Sequence, residues 1–244
     1  MGLGRRLAVL LVAALALAAV TAIVTGPVGG DGDEGTARPA AAGAGPRFSD
    51  PRRIDNPFLP LTRFQRCELA GGDERVVRTL LDRTQRFDVG GRRVDAAVIE
   101  DRAYDRGELV ERTLDYFAQA DDGTVYYLGE DVDNYERGRV VDHDGSWRWG
   151  RDTRTPGVAM PAAPRVGSAW RFEDVPGVTT ESDRVTRTLP SLRAGGTRYR
   201  RVIEVRESIQ PEGEVEYKLY APGAGVILEY PPDGRIAFAG CRPA

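Results

Sequence analysis

The residue types that could carry chemistry in this chain are concentrated between residues 130 and 150. Asp131, Asp133 and Glu136 form the densest acidic cluster and could offer oxygen ligands to calcium, a hard cation. Counted from Asp131, however, Glu136 occupies the sixth loop position, where an EF-hand has glycine. A solvated acidic loop fits this spacing better. We therefore predict no metal site and no cofactor, and these three residues remain the candidates for a metal.

His143 is the only histidine of the chain, and it stands between Asp142 and Asp144. A histidine beside a carboxylate can act as a general base. Adjacent residues of a strand point to opposite faces, so the two aspartates cannot both reach the ring. The sequence also has no Gly-x-Ser-x-Gly elbow. We predict no catalytic residue and keep a hydrolase that uses Asp131, Asp133 or His143 as a third hypothesis.

Aromatic residues of the middle region suit binding better than catalysis. Exposed aromatic rings on a sheet can take an apolar ligand or a sugar, although core packing is their commoner use. Trp147 and Trp149 are two apart and would share one face of a strand. The residues predicted to line a ligand site are Tyr116, Tyr126, Trp147, Trp149 and Trp170.

The elements that position these residues are strands, because apolar and polar residues alternate with a period of two. In one such run Val215, Tyr217 and Leu219 are expected in the core, with Glu216 and Lys218 in water. Turn sequences rich in Gly, Asp and Pro separate the runs. Residues 75–87 and 94–104 read as long strands, residues 135–176 as mostly looped, and residues 182–192 as either a strand or a short helix.

The fold class predicted from this pattern is all-β and mainly antiparallel, with nine to twelve strands. A large curved sheet or a partly closed β-barrel fits best, and a β-sandwich is the alternative. Cys67 and Cys241 lie near the two ends of this region. In an oxidising compartment we expect them to form a disulfide, which would make the first and last strands neighbours. Two buried free thiols are the alternative.

The N-terminus predicts export. Arg5 and Arg6 precede an apolar run over residues 7–24, which is typical of a signal peptide and is also long enough for a membrane anchor. We assign residues 1–25 to this segment, 26–50 to a disordered spacer and 51–244 to one β-rich domain. The formal net charge is −3, and loss of Arg5 and Arg6 lowers it to −5, which argues against a nucleic-acid partner.

Several short sequences resemble a family of secreted or membrane-tethered bacterial proteins, mostly actinobacterial. They are residues 54–61 (IDNPFLPL), 114–119 (LDYFAQ), 125–131 (VYYLGED), 145–147 (GSW) and 217–227 (YKLYAPGAGVI). The Ala-Pro-Gly-x-Gly-Val sequence within 221–226 is also similar to the closing hairpin of bacterial envelope proteins with curved β-sheets of the lipoprotein-carrier type. The resemblance implies a β-rich extracytoplasmic protein and carries over no catalytic residue.

The function expected from these observations is non-enzymatic. The leading hypothesis is a secreted or extracytoplasmic protein that binds a lipid or another apolar or amphipathic ligand on a concave β-face. The second is a structural or interaction module with a protein partner in the cell envelope. Membrane contact is expected only through residues 7–24.

Overall fold

A computed structural model of the chain describes residues 45–89, 91–211, 213–230 and 237–243. The predicted targeting segment and residues 26–44 of the predicted spacer lie outside this part. Strands account for 69% of the structure, and the described residues contain no α-helix, only a 3-10 turn at Leu61–Arg63. No described helix could therefore cross a membrane. The prediction of a nearly all-antiparallel β fold is confirmed.

The fourteen strands vary from two to sixteen residues. They are β1 (Phe64–Gly71), β2 (Glu74–Val89), β3 (Arg92–Asp105), β4 (Glu108–Gln119), β5 (Val125–Glu136), β6 (Arg139–Asp142), β7 (Trp147–Arg148), β8 (Gly157–Met160), β9 (Ala169–Val175), β10 (Thr179–Ala194), β11 (Thr197–Gln210), β12 (Glu214–Ala221), β13 (Gly225–Tyr230) and β14 (Ala237–Pro243).

The strands pair in the order β6-β5-β4-β3-β2-β1-β14-β13-β12-β11-β10-β9, while β7 and β8 pair with β5. This order divides into a nine-stranded part (β1–β8 with β14) and a five-stranded part (β9–β13). Among the described residues, two pairs join β13 to β14, Leu228 with Phe238 and Glu229 with Ala237. The chain therefore forms two antiparallel lobes joined by this short strand pairing. The β12–β13 turn also contacts the segment before β1, where the Gly223 amide donates to the Pro57 carbonyl at 2.6 Å.

The sheet curls until its open ends approach each other, but it is not closed into a barrel. At the approach, Gly157 of β8 lies against the backbone of Phe172 of β9. A Cβ added to Gly157 would stand 1.9 Å from the Phe172 carbonyl oxygen. A side chain at this position would thus push the two ends apart.

The main core fills the concave side of this curl, which we call the inner face. Tyr127 lies at its centre, stacked on Phe117 with ring centroids 4.8 Å apart and edge-on to Trp147 at 5.3 Å. Two further clusters cover the convex side, which we call the outer face. One surrounds Tyr116 and Leu128, and the other surrounds Leu219 and Ile227. Much of the sheet is therefore covered on both faces.

Coverage of both faces overturns one expectation from the sequence. Glu216 and Lys218 were expected in water, but they are buried on the inner face, in line with the core residue Tyr220. Leu219 is buried on the outer face, while Val215 and Tyr217 are only half-buried. The alternation was read correctly, and the assignment of one face to solvent was wrong.

Other predictions about the strands are confirmed. The long strands correspond to β2 and β3, and residues 182–192 lie within β10 rather than in a helix. The number of strands exceeds the nine to twelve predicted, because the region expected to be mostly looped, residues 135–176, contains four strands, β6 to β9. Cys67 and Cys241 form the predicted disulfide, at directly opposed positions of β1 and β14.

Candidate functional site

The five predicted ligand-lining aromatics do not share one surface. Trp147 is fully buried in the inner core, and Trp170 packs against the same core. Tyr116 is buried in the outer cluster, where Tyr126 also packs. Trp149 contacts both clusters, and its indole N–H donates to the Arg154 carbonyl at 3.2 Å. These side chains act chiefly as packing groups.

The acidic residues singled out in the sequence are paired with cations. Asp131 forms an ion pair with Arg148 and accepts a hydrogen bond from the Tyr116 hydroxyl at 2.6 Å. Asp133 lies 3.1 Å from Arg112 and 3.0 Å from His143 Nδ1. These contacts occupy the oxygens that a metal would need.

Glu136 is exposed, and the His143 side chain is 67% exposed. The His143 ring also lies 2.8 Å from the Val132 carbonyl oxygen through Nδ1. Within the described residues, no group of metal-binding geometry includes Asp131, Asp133 or Glu136. The structure thus places the metal candidates and the histidine in a solvated, ion-paired region of the outer surface.

A different set of carboxyl groups forms the most unusual feature of the molecule. Buried acidic side chains line the inner face on both lobes, next to the apolar core. We call them the carboxylate band: Asp101, Glu111, Asp115, Glu130, Glu173, Glu181, Asp183, Glu207 and Glu216. Only two cations of the described chain, Arg78 and Lys218, form ion pairs with the band. Isolated buried charges are strongly unfavourable, so this imbalance requires protons or bound cations.

Strand register brings the acidic residues of the five-stranded lobe together. Asp183 of β10, Glu207 of β11 and Glu216 of β12 stand directly opposite one another on three adjacent strands. Glu173 of β9 is in turn opposite Glu181 of β10. Like charges directly opposed across strands are destabilising. The local fold therefore maintains an arrangement that is unfavourable whenever these groups are all ionised.

Glu181, Asp183 and Glu207 approach most closely, and we call them the carboxylate triad. Each offers one carboxylate oxygen, and the three oxygens lie within 4.8 Å of one another. The residues are only 7%, 2% and 2% exposed. Asp183 Oδ1 makes no hydrogen bond within the described part of the chain. The triad thus brings three carboxylate oxygens together, and Asp183 also has an oxygen that is free to bind a cation.

Glu173 and Glu216 flank the triad, and each has buried oxygens without a hydrogen-bond partner among the described residues. The Trp147 indole N–H is near enough to Glu173 to favour its charged form, but the two do not align as a hydrogen bond. Burial and the charge of Glu181 raise the pKa of Glu173 well above its usual range. Burial likewise raises the pKa of Glu216 to about 8.

Within the triad, burial and the charge of a neighbouring carboxylate also raise the pKa values. Burial and then the charge of Glu207 raise the pKa of Glu181 to about 8 and that of Asp183 well above the ordinary aspartate value. Such shifts show how poorly this site tolerates uncompensated negative charge. A proton or a cation must therefore accompany each of these carboxyl groups.

Lys218 supplies the single buried positive charge of this lobe. Its ammonium nitrogen lies 2.7 Å from Glu207 Oε2, the distance of an ion pair, although the two are not aligned as a good hydrogen bond. Burial alone would lower the pKa of Lys218, but the charge of Glu207 and its acidic neighbours more than offsets this and raises it. Lys218 therefore faces the five acidic residues of the band in this lobe and also Glu229, its cross-strand partner on β13.

The nine-stranded lobe carries the rest of the band. Arg78 binds Asp101 through two guanidinium nitrogens at 2.6–3.0 Å. Asp115 accepts hydrogen bonds from Tyr127 and Thr113 at 2.7 and 3.0 Å. These contacts favour the charged forms of Asp101 and Asp115, but burial still raises the pKa of Asp115 to about 7.

Glu111 extends the band along the same strand as Asp115. Burial, with the charges of Asp115 and Asp101, raises the pKa of Glu111 to about 8. The charge of Glu173 on β9 also acts on Glu130 on β5. The band therefore continues across the gap between the open ends of the sheet.

A separate apolar pocket lies between the 3-10 turn, β1, β2 and the β12–β13 turn. Its walls include Leu61, Phe64, Leu80 and Val226, with Arg78 and the disulfide at its edge. The enclosed cavity between these side chains is about 30 Å³, room for about one or two water molecules, and the rest of the pocket opens to solvent. The pocket is thus lined mainly by apolar side chains, in contrast to the acidic side chains of the carboxylate band.

Sequence reasoning missed the carboxylate band, yet one signal was readable. Glu207 stands between Val205 and Ile209 on the apolar positions of an alternating strand, and Asp183 precedes Val185 in the same way. An acid at an apolar position of a strand indicates a buried charge. The comparison with known proteins adds no guide to its role, since no protein family, curated protein or solved structure matches this chain.

Proposed function

We propose that this protein is an exported, non-enzymatic binding protein that holds a hard divalent cation, calcium in the first place, inside its curved sheet. The carboxylate triad carries the proposal, because three buried carboxylate oxygens converge within 4.8 Å. The burial of the triad supports binding rather than hydrolysis, since a substrate would have no access to these oxygens.

The ligand set favours calcium. The triad offers only oxygen atoms, which hard cations prefer, and no histidine or cysteine takes part. Calcium binds oxygen at about 2.4 Å, so two ligands on opposite sides of the ion stand about 4.8 Å apart. Glu173 and Glu216 are close enough to act on the charge of the site. A divalent ion would relieve the repulsion among these groups, which Lys218 alone leaves in place.

The cation is expected to stabilise the fold measurably. The protein, collected after export from a secreting host, is unfolded and refolded with EDTA or with calcium, because a buried ion enters most readily during folding. At one hundred times its dissociation constant, calcium should add about 2.7 kcal/mol to the free energy of unfolding. Urea titration measures this increment, and isothermal titration calorimetry gives the number of ions bound.

Two isosteric variants locate the site. Asp183→Asn should abolish most of the calcium increment, whereas Asp133→Asn, at the exposed cluster, should retain it. The increment is compared rather than the absolute stability, because Asp183→Asn also removes a repulsion from the apo protein. Equal increments for the two variants, or no increment for the unaltered protein, would reject the triad as the cation site.

A second candidate function rests on the apolar pocket. The cavity of about 30 Å³ is too small for a whole ligand, so the ligand would place only one end between these apolar walls, with an anionic group near Arg78. Native mass spectrometry of the exported protein should then show extra mass that leaves on denaturation. Ala224→Phe places a ring in the pocket and should reduce the bound fraction about tenfold, as expected when a binding cavity is filled. A mass equal to that of the polypeptide alone would remove this candidate.

A further inference from the structure

The β10–β11 hairpin extends beyond the strands on either side of it. On one side, β10 pairs with β9 only up to Arg184. Val185 adds two backbone hydrogen bonds at 2.9 Å, one donated to the Ser168 carbonyl and one accepted from the Gly167 amide. On the other, β11 begins to pair with β12 at Ile203. Residues 186–202, which we call the arginine ribbon, therefore form a two-stranded extension. An isolated pair of strands is only marginally stable in water.

One face of the ribbon packs on the outer surface of the five-stranded lobe. Leu192 and Tyr199 are cross-strand partners, and both contact the outer cluster around Leu219 and Ile227. Ala194 is buried in the same cluster. The apolar face of the ribbon is thus already used, and its opposite face points to solvent.

The solvent face is basic. Arg193 stands directly opposite Arg198, and Arg200 is the partner of Ser191 on the same face. All three arginines are exposed, and in the described part of the chain none lies within ion-pair distance of a carboxylate. Residues 184–203 contain six arginines and no acidic residue, in a chain of net charge −3.

Two like charges directly opposite each other destabilise a hairpin. Arg193 and Arg198 therefore weaken an element that already has few strand partners. Guanidinium groups on one plane are well suited to phosphate, which they bind through paired hydrogen bonds. A partner that carries a layer of phosphate groups would neutralise the arginines of the solvent face. Binding would therefore remove the repulsion between Arg193 and Arg198.

We propose that the arginine ribbon docks on an anionic phospholipid surface. A lipid bilayer presents phosphate groups in a plane, which matches three arginines on the solvent face of a two-stranded ribbon. The apolar run at residues 7–24 gives the chain a second means of membrane contact. Stable membrane attachment generally requires two such signals, for example an apolar anchor and a basic patch.

Vesicle co-sedimentation tests the proposal. The protein is collected after export, so that it carries whatever N-terminus processing leaves. It is mixed with vesicles of phosphatidylcholine alone or of equal parts phosphatidylcholine and phosphatidylglycerol. The readout is the preference for anionic vesicles, compared between variants that share the same N-terminus, because Arg5 and Arg6 beside the apolar run would also favour anionic headgroups. We expect tighter binding to the anionic vesicles, weakened by added salt.

The triple variant Arg193→Gln/Arg198→Gln/Arg200→Gln should bind anionic vesicles on the order of a hundredfold more weakly, as expected for three basic groups at a charged surface. The control Arg83→Gln/Arg139→Gln/Arg154→Gln removes the same charge from other exposed positions and should change binding less than threefold. Urea unfolding verifies that both variants are folded.

Three outcomes would overturn the proposal. The first is equal binding to the two vesicle types, and the second is an equal loss in the two triple variants. The third is preferential retention on soluble polyphosphate over anionic vesicles, which would assign the ribbon to a phosphate polymer. A loss confined to the ribbon variant and to anionic vesicles supports lipid docking.

Discussion

Raising the pH from 5 to 8 without divalent cations should destabilise this protein by several kcal/mol. Glu181 and Glu216 of the five-stranded lobe, with raised pKa values of about 8, contribute to this effect. In the nine-stranded lobe the contributing groups are Glu111 and Asp115, which have raised pKa values of about 8 and about 7. Their ordinary values are 4.5 and 3.8, so the folded state keeps protons that the unfolded chain has already released. The corresponding stability is complete below about pH 4 and is lost as the pH rises through 7 to 8.

The size of the effect follows from the shifts, since one pKa unit corresponds to about 1.4 kcal/mol. The charges of Asp115 and Asp101 act on Glu111, and those of Asp101 and Arg78 act on Asp115. Carboxyl groups bound to arginine, such as Glu100, have lowered pKa values and lose their stabilisation in acid instead. The comparison therefore starts at pH 5, where that opposite effect is small.

Urea titrations across this pH range measure the slope of stability against pH. Glu111→Gln keeps the size and the neutral state of the side chain, so it should reduce the slope by close to one proton, about 1.4 kcal/mol per pH unit where that group titrates. Glu108→Gln, at an exposed position of the same strand, is the control and should leave the slope unchanged. Stability that stays constant or rises from pH 5 to 8 would contradict the prediction.

Removal of the disulfide should lower the free energy of unfolding by about 4–5 kcal/mol. Cys67 and Cys241 are 174 residues apart in sequence. Closure of so long a loop restricts the unfolded chain strongly in the chain-entropy description. The bridge also fixes β14 to β1, and β14 is the strand through which the nine-stranded lobe pairs with the five-stranded lobe.

The double variant Cys67→Ser/Cys241→Ser, compared with the unaltered protein in urea, measures this contribution. Reductant should destabilise the unaltered protein by the same amount and should not affect the double variant. Hydrogen exchange should increase first in β13 and β14, whose mutual pairing is short. A difference below 1 kcal/mol would mean that the strand pairing alone holds the two lobes together.

The negative charge of the carboxylate band is compensated differently in the two lobes. In the nine-stranded lobe, Arg78 and Tyr127 stabilise charge on Asp101 and Asp115, and proton uptake accounts for the remainder. In the five-stranded lobe, Lys218 faces a denser group, and the convergent triad offers a place for a cation. The calcium experiment therefore probes the triad, and the Glu111→Gln comparison isolates the pH dependence that arises in the nine-stranded lobe.

Much of the fold could be predicted from the sequence because its causes are local. Alternation of residue types predicts strands, and Gly, Asp and Pro between them predict hairpin turns. These local signals led to an antiparallel curved sheet with long second and third strands. Two cysteines near the ends of the domain were sufficient to predict that the first and last strands are neighbours.

The candidate site could not be predicted in the same way. Asp183, Glu207 and Glu216 belong to three strands, and only their register places them side by side. The sequence shows that Glu216 and Lys218 share a face, but a period of two cannot tell which face is inside. The tertiary structure determines which face is inside, because the sheet curls around one face and the arginine ribbon covers part of the other. Curling of the sheet buries the acidic residues together and so creates the candidate site.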